Sequence, residues 1–262
     1  MLGKGVFVMA RPTVKELLAA KGGKKFTQVC VSDADTARAC DLAGIDMLAV
    51  GAARLQSVRA AAPNCFITGS PPRPPCLASD REAIGACHAL MTDGADAVYM
   101  PPTLGRIKAV SGMRIPVFSH VGFVPYHATW TGGARAVGKT APEALQVYRD
   151  TLALQEAGVI GVEMELVPHR IAAEIASRVD ILVISMGSGS ECDGEYLFAR
   201  DILGSHDGHY PRHAKKYRNH FENSVQVFKE FSREVDSGAF PAKGNIVEIK
   251  DEEFERFMNE ID

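Results

Sequence analysis

The chain has 262 residues, 46% of them hydrophobic and 23% charged. This suggests one large domain or two small ones and excludes disorder over most of the length. Lys and Arg total 29 against 32 Asp and Glu, a formal net charge of −3. That excludes a general nucleic-acid binder, which concentrates positive charge to displace counterions. No run of about 18 apolar residues occurs, so no membrane span is expected. The start, MLGKGVFVMARP, lacks an apolar h-region and a small-residue cleavage site, so no signal peptide is expected. Cys30, Cys40, Cys65, Cys76, Cys87 and Cys192 are scattered without a CxxC pair. They predict buried thiols in a reducing compartment, the cytoplasm.

Helix and strand patterns alternate along the chain. TVKELLAA (Thr13 to Ala20) is a short helix placed to plug a barrel bottom. FTQVCVS (Phe26 to Ser32) reads as a buried strand. A helix follows, with Asp33 as its N-cap and Gly44 as its stop. IDMLAVG is the second strand and AARLQSVRAAA the next helix. NCFITG is the third strand, and SDREAIGACHALMTDG a helix capped by Ser79 or Asp80 and stopped at Gly94. ADAVYM, the helix TLGRIKAVSG and the strand IPVFSHVG come next. Phe123 to Thr140 is a long loop with Gly132, Gly133 and Gly138. The helix APEALQVYRDTLALQEAG, the strand VIGVEMELV, the helix PHRIAAEIASR and the strand DILVISMG complete seven units.

Strands that are nearly continuous in apolar residues belong to a parallel sheet buried on both faces. Seven units and a weak eighth after Gly187 predict a (β/α)8 TIM barrel, with a doubly wound sheet as the alternative. No GxGxxG follows the first strand and no GxxxxGK[ST] occurs, so nucleotide folds lose support. The expected organisation is one barrel domain over 1–262, with its N-terminal helix at 13–20, core at 26–204 and C-terminal peripheral helices at 212–262. Arg212 to Ser237 reads as one long polar helix. The acidic, helix-like end IVEIKDEEFERFMNEID is either a solvated terminal helix or a contact with a neighbouring subunit.

Barrel enzymes carry chemistry at the C-terminal ends of strands. This rule selects Ser32 and Asp33, Gly51 to Ala53, Gly69 and Ser70, Tyr99 to Pro102, His120, Glu163 and Glu165, and Ser185 to Glu191. Glu163 and Glu165 are two residues apart on one strand and share a face. Two close carboxylates predict one raised pKa, suited to a general acid or base. Pairing with a basic rim residue or metal ligation are the alternatives. His120, at a strand end, is either a hydrogen-bonded core residue or a substrate contact. His127 and His169 are loop and helix-start residues of lesser weight. In MGSGSECDGE (Met186 to Glu195), backbone N–H groups could cradle an anion, although a plain Gly-rich turn has the same pattern.

Three segments carry a family likeness. Met164 to Gly204 (MELVPHRIAAEIASRVDILVISMGSGSECDGEYLFARDILG) resembles the glutamate-x-Val-Pro strand end and Cys-Asp-Gly segment of the ketopantoate hydroxymethyltransferase family. That family lies within the phosphoenolpyruvate mutase/isocitrate lyase superfamily. His120 to Thr140 resembles its His-x-Gly-x-x-Pro strand end and Gly-Lys-Thr loop. Thr13 to Gly51 is similar to its N-terminal helix and first two strands, and SGAFP (Ser237 to Pro241) to its C-terminal end.

The resemblance implies a barrel enzyme that binds a 2-oxo acid through Mg2+, forms an enolate and takes a one-carbon unit from methylenetetrahydrofolate. It also implies a homo-oligomer, a catalytic base in Glu165 and a substrate contact in His120. The departures fall on the metal. The aspartates that the resemblance implies after the second and third strands are replaced in Gly51-Ala52-Ala53 and at Gly69. The lysine and glutamate expected at the fourth strand end give way to Tyr99, Met100 and Pro101. About 20 residues between the second and third strands are also missing relative to the family.

The resulting expectation is a diverged family member without the usual metal ligands. It makes or breaks a carbon–carbon bond beside the carbonyl of a 2-oxo acid or related compound. Glu165 and His120 are its catalytic residues. Ser32, Asp33, Ala52, Ala53, Tyr99, Glu163, Ser188 and Gly189 are its substrate-binding residues. Its partner is a small molecule, with neither nucleic acid nor membrane. The alternatives are the standard 3-methyl-2-oxobutanoate hydroxymethyltransferase reaction with a rebuilt metal site, and a non-catalytic small-molecule-binding barrel.

Overall fold

The computed structural model describes residues 11–72 and 77–261. Cys76 and most of the N-terminal segment discussed above lie outside the described residues. Two compact units divide the chain. One runs to Ile202 and takes in His209–Lys216; the other comprises Leu203–Gly208 and Tyr217 onward.

The first unit is a closed barrel of eight parallel strands in sequence order. These are β1 (Phe26–Cys30), β2 (Met47–Gly51), β3 (Phe66–Ser70), β4 (Ala97–Tyr99), β5 (Val117–Gly122), β6 (Gly161–Glu165), β7 (Leu182–Met186) and β8 (Gly194–Phe198). β8, the weakest strand of the sequence reading, closes the ring by pairing along the whole of β1. The helices are α1 (Val14–Ala19), α2 (Ala34–Leu42), α3 (Leu55–Ala61), α4 (Asp80–Thr92), α5 (Leu104–Gly112), α6 (Ala128–Thr131), α7 (Ala141–Glu156), α8 (His169–Arg178) and α9 (Ala199–Leu203). Their starts follow local chemistry. Asp33, Ser79 and Thr140 each accept a hydrogen bond from a backbone N–H in the first turn, worth about 1 kcal/mol per cap. The long loop after β5 holds one 3-10 turn, Pro125–His127, and the single turn of α6.

Side-chain alternation divides the barrel's apolar residues into two layers. Val29, Leu48, Ile67, Val98, Val121, Met164 and Val183 point outward and pack under the helices. Phe26, Met47, Phe66, Phe118 and Ile184 fill the interior, where Leu17 of α1 joins them. Each such side chain contributes roughly 1.5–3 kcal/mol by leaving water. α1 therefore plugs one end of the barrel, as expected. Asp193 locks that end: it accepts hydrogen bonds from Lys21 Nζ at 2.6 Å, Gly22 N at 3.1 Å and Val183 N at 2.8 Å.

The second unit contains α10 (His220–Ser237) and α11 (Asp251–Ile261). The helix expected from Arg212 begins only at His220. Arg212, Lys215 and Lys216 would stack like charges at i, i+3 and i+4, which disfavours a helix there. α11 likewise starts after Ile246–Lys250, with Asp251, Glu252 and Glu253 in its first turn, where acidic groups suit the helix dipole. Among the described residues, no helix is long and apolar enough to cross a membrane.

Candidate active site

Toward the C-terminal ends of the strands the barrel interior turns polar. Gln28, Thr68, His120, Glu163 and Glu165 all point inward and are all buried. The register of β5 against β6 sets His120 opposite Glu163 and Gly122 opposite Glu165. His120 thus stands between two carboxylates: Nε2 lies 3.2 Å from Glu165 Oε2, and Nδ1 lies 3.7 Å from Glu163 Oε2. The amide of Gln28 donates to Glu163 Oε1 at 2.9 Å. Tyr99 Oη lies 3.4 Å from His120 Nδ1, with the two rings perpendicular.

Burial by itself lowers the His120 pKa, but the adjacent carboxylates of Glu163 and Glu165 override it and raise it to about 9. Desolvating an imidazolium costs several kcal/mol. Each adjacent carboxylate returns about 4–5 kcal/mol at an effective dielectric near 20. The two carboxylates thus favour the charged form of His120. The sequence reading expected one raised pKa in the carboxylate pair, with pairing to a basic residue or metal ligation as alternatives; the structure sets the His120 imidazole between the two carboxylates. His120 Nε2 has no aligned hydrogen-bond partner despite its burial, and Gln28 Oε1 and Thr68 Oγ1 are also unpartnered among the described residues. A polar ligand or water satisfies such groups. Burial, and then the charges of Glu163, Tyr126 and Glu165, pushes the Tyr99 phenol up, so it stays a neutral hydrogen-bonding group. Burial likewise pushes the inward-facing Cys30 thiol up to about 11, which leaves it a poor nucleophile.

Backbone features fix Glu165 in place. Leu166, the next residue, has φ +53°, a left-handed conformation costing a non-glycine residue roughly 1–2 kcal/mol. Its N–H donates to Met186 O at 3.0 Å, and its carbonyl accepts from Val137 N at 3.1 Å. Ser188 clamps the same corner, donating to Met164 O at 2.8 Å and accepting from Val167 N at 3.0 Å.

The other expected site residues divide. Tyr99 and Glu163 join His120 and Glu165. Ser188 does not join them: it is buried, and its hydroxyl is engaged by backbone on both sides, behind the end of β6. Asp33 is the α2 cap, accepting from Thr36 N at 2.7 Å and Thr36 Oγ1 at 2.9 Å, with Ser32 exposed beside it. Ala52 and Ala53 lie in the 3-10 turn after β2 and offer no polar side-chain atom. Gly189 lies at a separate cavity with His169. His127 lines a cavity of about 370 Å³ that reaches His120.

Gly69 is corrected. It faces outward, where a Cβ would meet Ala95 and Leu90 at 3.3 Å. The inward position at the end of β3 is Ser70. Gln28 and Gly122 were missed. Gln28 was legible as a polar residue in step with Phe26 in a buried strand.

These residues do not fit Mg2+. A hard cation needs several oxygen ligands. Glu163 is engaged by Gln28, both carboxylates flank the His120 ring, and the neighbouring strand ends offer Ala52, Ser70 and Tyr99. Among the described residues, no cluster of three or more His, Cys, Asp or Glu side chains could hold a metal.

Comparison with known proteins places this geometry. Residues 52–243 match the family described as ketopantoate hydroxymethyltransferase. The chain is 32% identical to 3-methyl-2-oxobutanoate hydroxymethyltransferase 1 of Methylibium petroleiphilum, over 92% of this chain and 90% of that protein. It is 31% identical to 3-methyl-2-oxobutanoate hydroxymethyltransferase of Nitrosopumilus maritimus, over 95% and 98%. The fold is shared with 2,3-dimethylmalate lyase, a PEP mutase/isocitrate lyase superfamily member, at a TM-score of 0.56, 11% identity and coverage of 95% and 99%. It is shared too with phosphonopyruvate hydrolase solved with oxalate and Mg2+, at a TM-score of 0.55, 13% identity and the same coverage. The chain belongs to the ketopantoate hydroxymethyltransferase family.

Proposed function

We propose that this protein makes or breaks a carbon–carbon bond beside the carbonyl of a 2-oxo acid or a related carbonyl compound. The observation that carries this reading is the buried imidazole of His120 held against Glu165, with its Nε2 lacking an aligned partner. A substrate carbonyl oxygen takes that position. Glu165 removes a proton from the adjacent carbon, and the electron pair moves into the bond toward the carbonyl carbon. The oxygen takes on negative charge, which the Nε2–H of His120 stabilises as a preorganised cationic donor. The enolate carbon then bonds to a one-carbon electrophile; run in reverse, the same steps break that bond. Glu163, oriented by Gln28, keeps His120 charged, and Tyr99 orients the ring. The one-carbon donor, methylenetetrahydrofolate in the family reaction, enters as a co-substrate, and no residue is assigned to it.

The test follows the proton alone. The protein is incubated with 3-methyl-2-oxobutanoate and other 2-oxo acids in deuterium oxide, and loss of the C3 proton is followed by NMR. The wild type is expected to catalyse exchange. Glu165→Gln should slow it by about 10²–10⁴-fold, the range for a general base, with the melting temperature retained. Absence of wild-type exchange across the panel, or full exchange by a folded Glu165→Gln protein, defeats the proposal.

A further inference from the structure

We propose that a second cavity near Glu165, bordered by Lys139, His169, Arg212 and His213 around Gly187 and Gly189, binds an anionic phosphate or carboxylate group of a ligand. The cavity holds about 540 Å³ and also takes in Leu166 and Val167, the residues that directly follow Glu165. It is therefore next to the proposed reaction site but uses none of its polar groups.

Three separate features give it one electrostatic sign. The first is the side chains. Two cations and two imidazoles line it, with no carboxylate among the lining residues. Glu143, the nearest acid in sequence to Lys139, is engaged by Arg135 Nη2 at 2.9 Å and by the backbone N–H groups of Gly138 and Lys139. The second is the turn after β7. Gly187 and Gly189 have φ +74° and +97°, and the Ser188 N–H between them donates to Ser185 Oγ at 3.1 Å, so the turn's contribution is a close-fitting floor free of carboxylates. Neither position has room for a side chain. A Cβ on Gly187 would lie 2.7 Å from His213 Cβ, and one on Gly189 would lie 2.5 Å from His169 Cβ. The glycines thus admit the two imidazoles against the turn. The third is α8, a ten-residue helix that begins at His169 and has no side-chain cap at Pro168. Its first N–H groups and dipole favour negative charge at this end. The cavity lies at the C-terminal ends of β6 and β7, the face on which barrel enzymes bind ligands. The Gly-rich run noted in the sequence is divided accordingly: Gly187 and Gly189 border the cavity, while Asp193 serves the opposite end of the barrel.

The inference does not depend on the carbon–carbon chemistry, and its test measures binding. The full-length protein is titrated calorimetrically in phosphate-free chloride buffer with inorganic phosphate in one arm and glutarate in the other. The wild type is expected to bind at least one of them saturably, at one site per chain. Lys139→Ala/Arg212→Ala should weaken that binding by about tenfold or more, as expected from losing charge-assisted hydrogen bonds. Both side chains are exposed, so an unchanged melting temperature is expected; Lys139→Gln/Arg212→Gln repeats the test with less loss of volume. Tighter binding of phosphate assigns a phosphoryl group, and tighter binding of glutarate a carboxylate. Saturable binding of neither, or equal binding by the variants, overturns the proposal.

Discussion

Gly122 and Glu165 meet backbone to backbone. A Cβ on Gly122 would lie 2.3 Å from the Glu165 carbonyl oxygen and 2.6 Å from Val167 Cγ2. The neighbouring Phe123 N–H donates to that same oxygen at 2.8 Å. This close approach lets β5 and β6 bring His120 against Glu165.

Gly122→Ala should therefore damage both fold and site. Its φ is +84°, and strain together with the clash is expected to cost about 2–3 kcal/mol. Denaturant unfolding measures the loss, and deuterium exchange into the 2-oxo acid should fall in the protein that remains folded. Wild-type stability in this variant would show that the two strands have slack.

Stability should depend on the His120 charge. Its pKa is raised from 6.5 to about 9 in the folded protein. A raised folded-state pKa gives stability that is fully present below the unfolded value and lost as pH rises through the folded one. The melting temperature is thus expected to fall between about pH 6.5 and pH 9. His120→Gln should flatten that segment of the profile. The stabilisation at stake is of the order of 3 kcal/mol at most. A wild-type profile without this decline contradicts the charged imidazole.

Calorimetric titration with Mg2+ is expected to show no saturable binding at the barrel mouth. The position where a carboxylate would complete a metal site after β2 is Ala52, and β3 ends inward on Ser70. Saturable binding that disappears in Glu163→Gln or Glu165→Gln would instead establish a rebuilt metal centre.

The protein is expected to be a homo-oligomer. Within the second unit, Phe228, Phe231, Phe254 and Phe257 are exposed in the single chain. Light scattering should give a mass above one chain, and Phe254→Ser/Phe257→Ser should reduce it if α11 contributes to the contact. A monomeric wild type at micromolar concentration would refute assembly.

Much of this architecture was legible in sequence because its signals are local. Apolar runs set the strands. Asp33 and the Ser79-Asp80 pair marked helix starts, and Gly44 and Gly94 marked ends; the Thr140 cap emerged only in the structure. The two-residue spacing of Glu163 and Glu165 placed them on one face, since alternation is a property of a single strand. Alternation reached less far where the strand's phase was uncertain: both Gly69 and Ser70 were selected and the family's aspartate was aligned with Gly69, but of the two only Ser70 faces inward. Tertiary structure decided what lies across from what. Barrel closure and the β5–β6 register put His120 between the carboxylates and brought Gln28 from β1 to Glu163, 135 positions away in the chain. The same packing committed Ser188 to the backbone behind Glu165. Sequence position specifies a side chain's chemistry and its strand face. The charge it carries and the work it does depend on neighbours that only the closed barrel supplies.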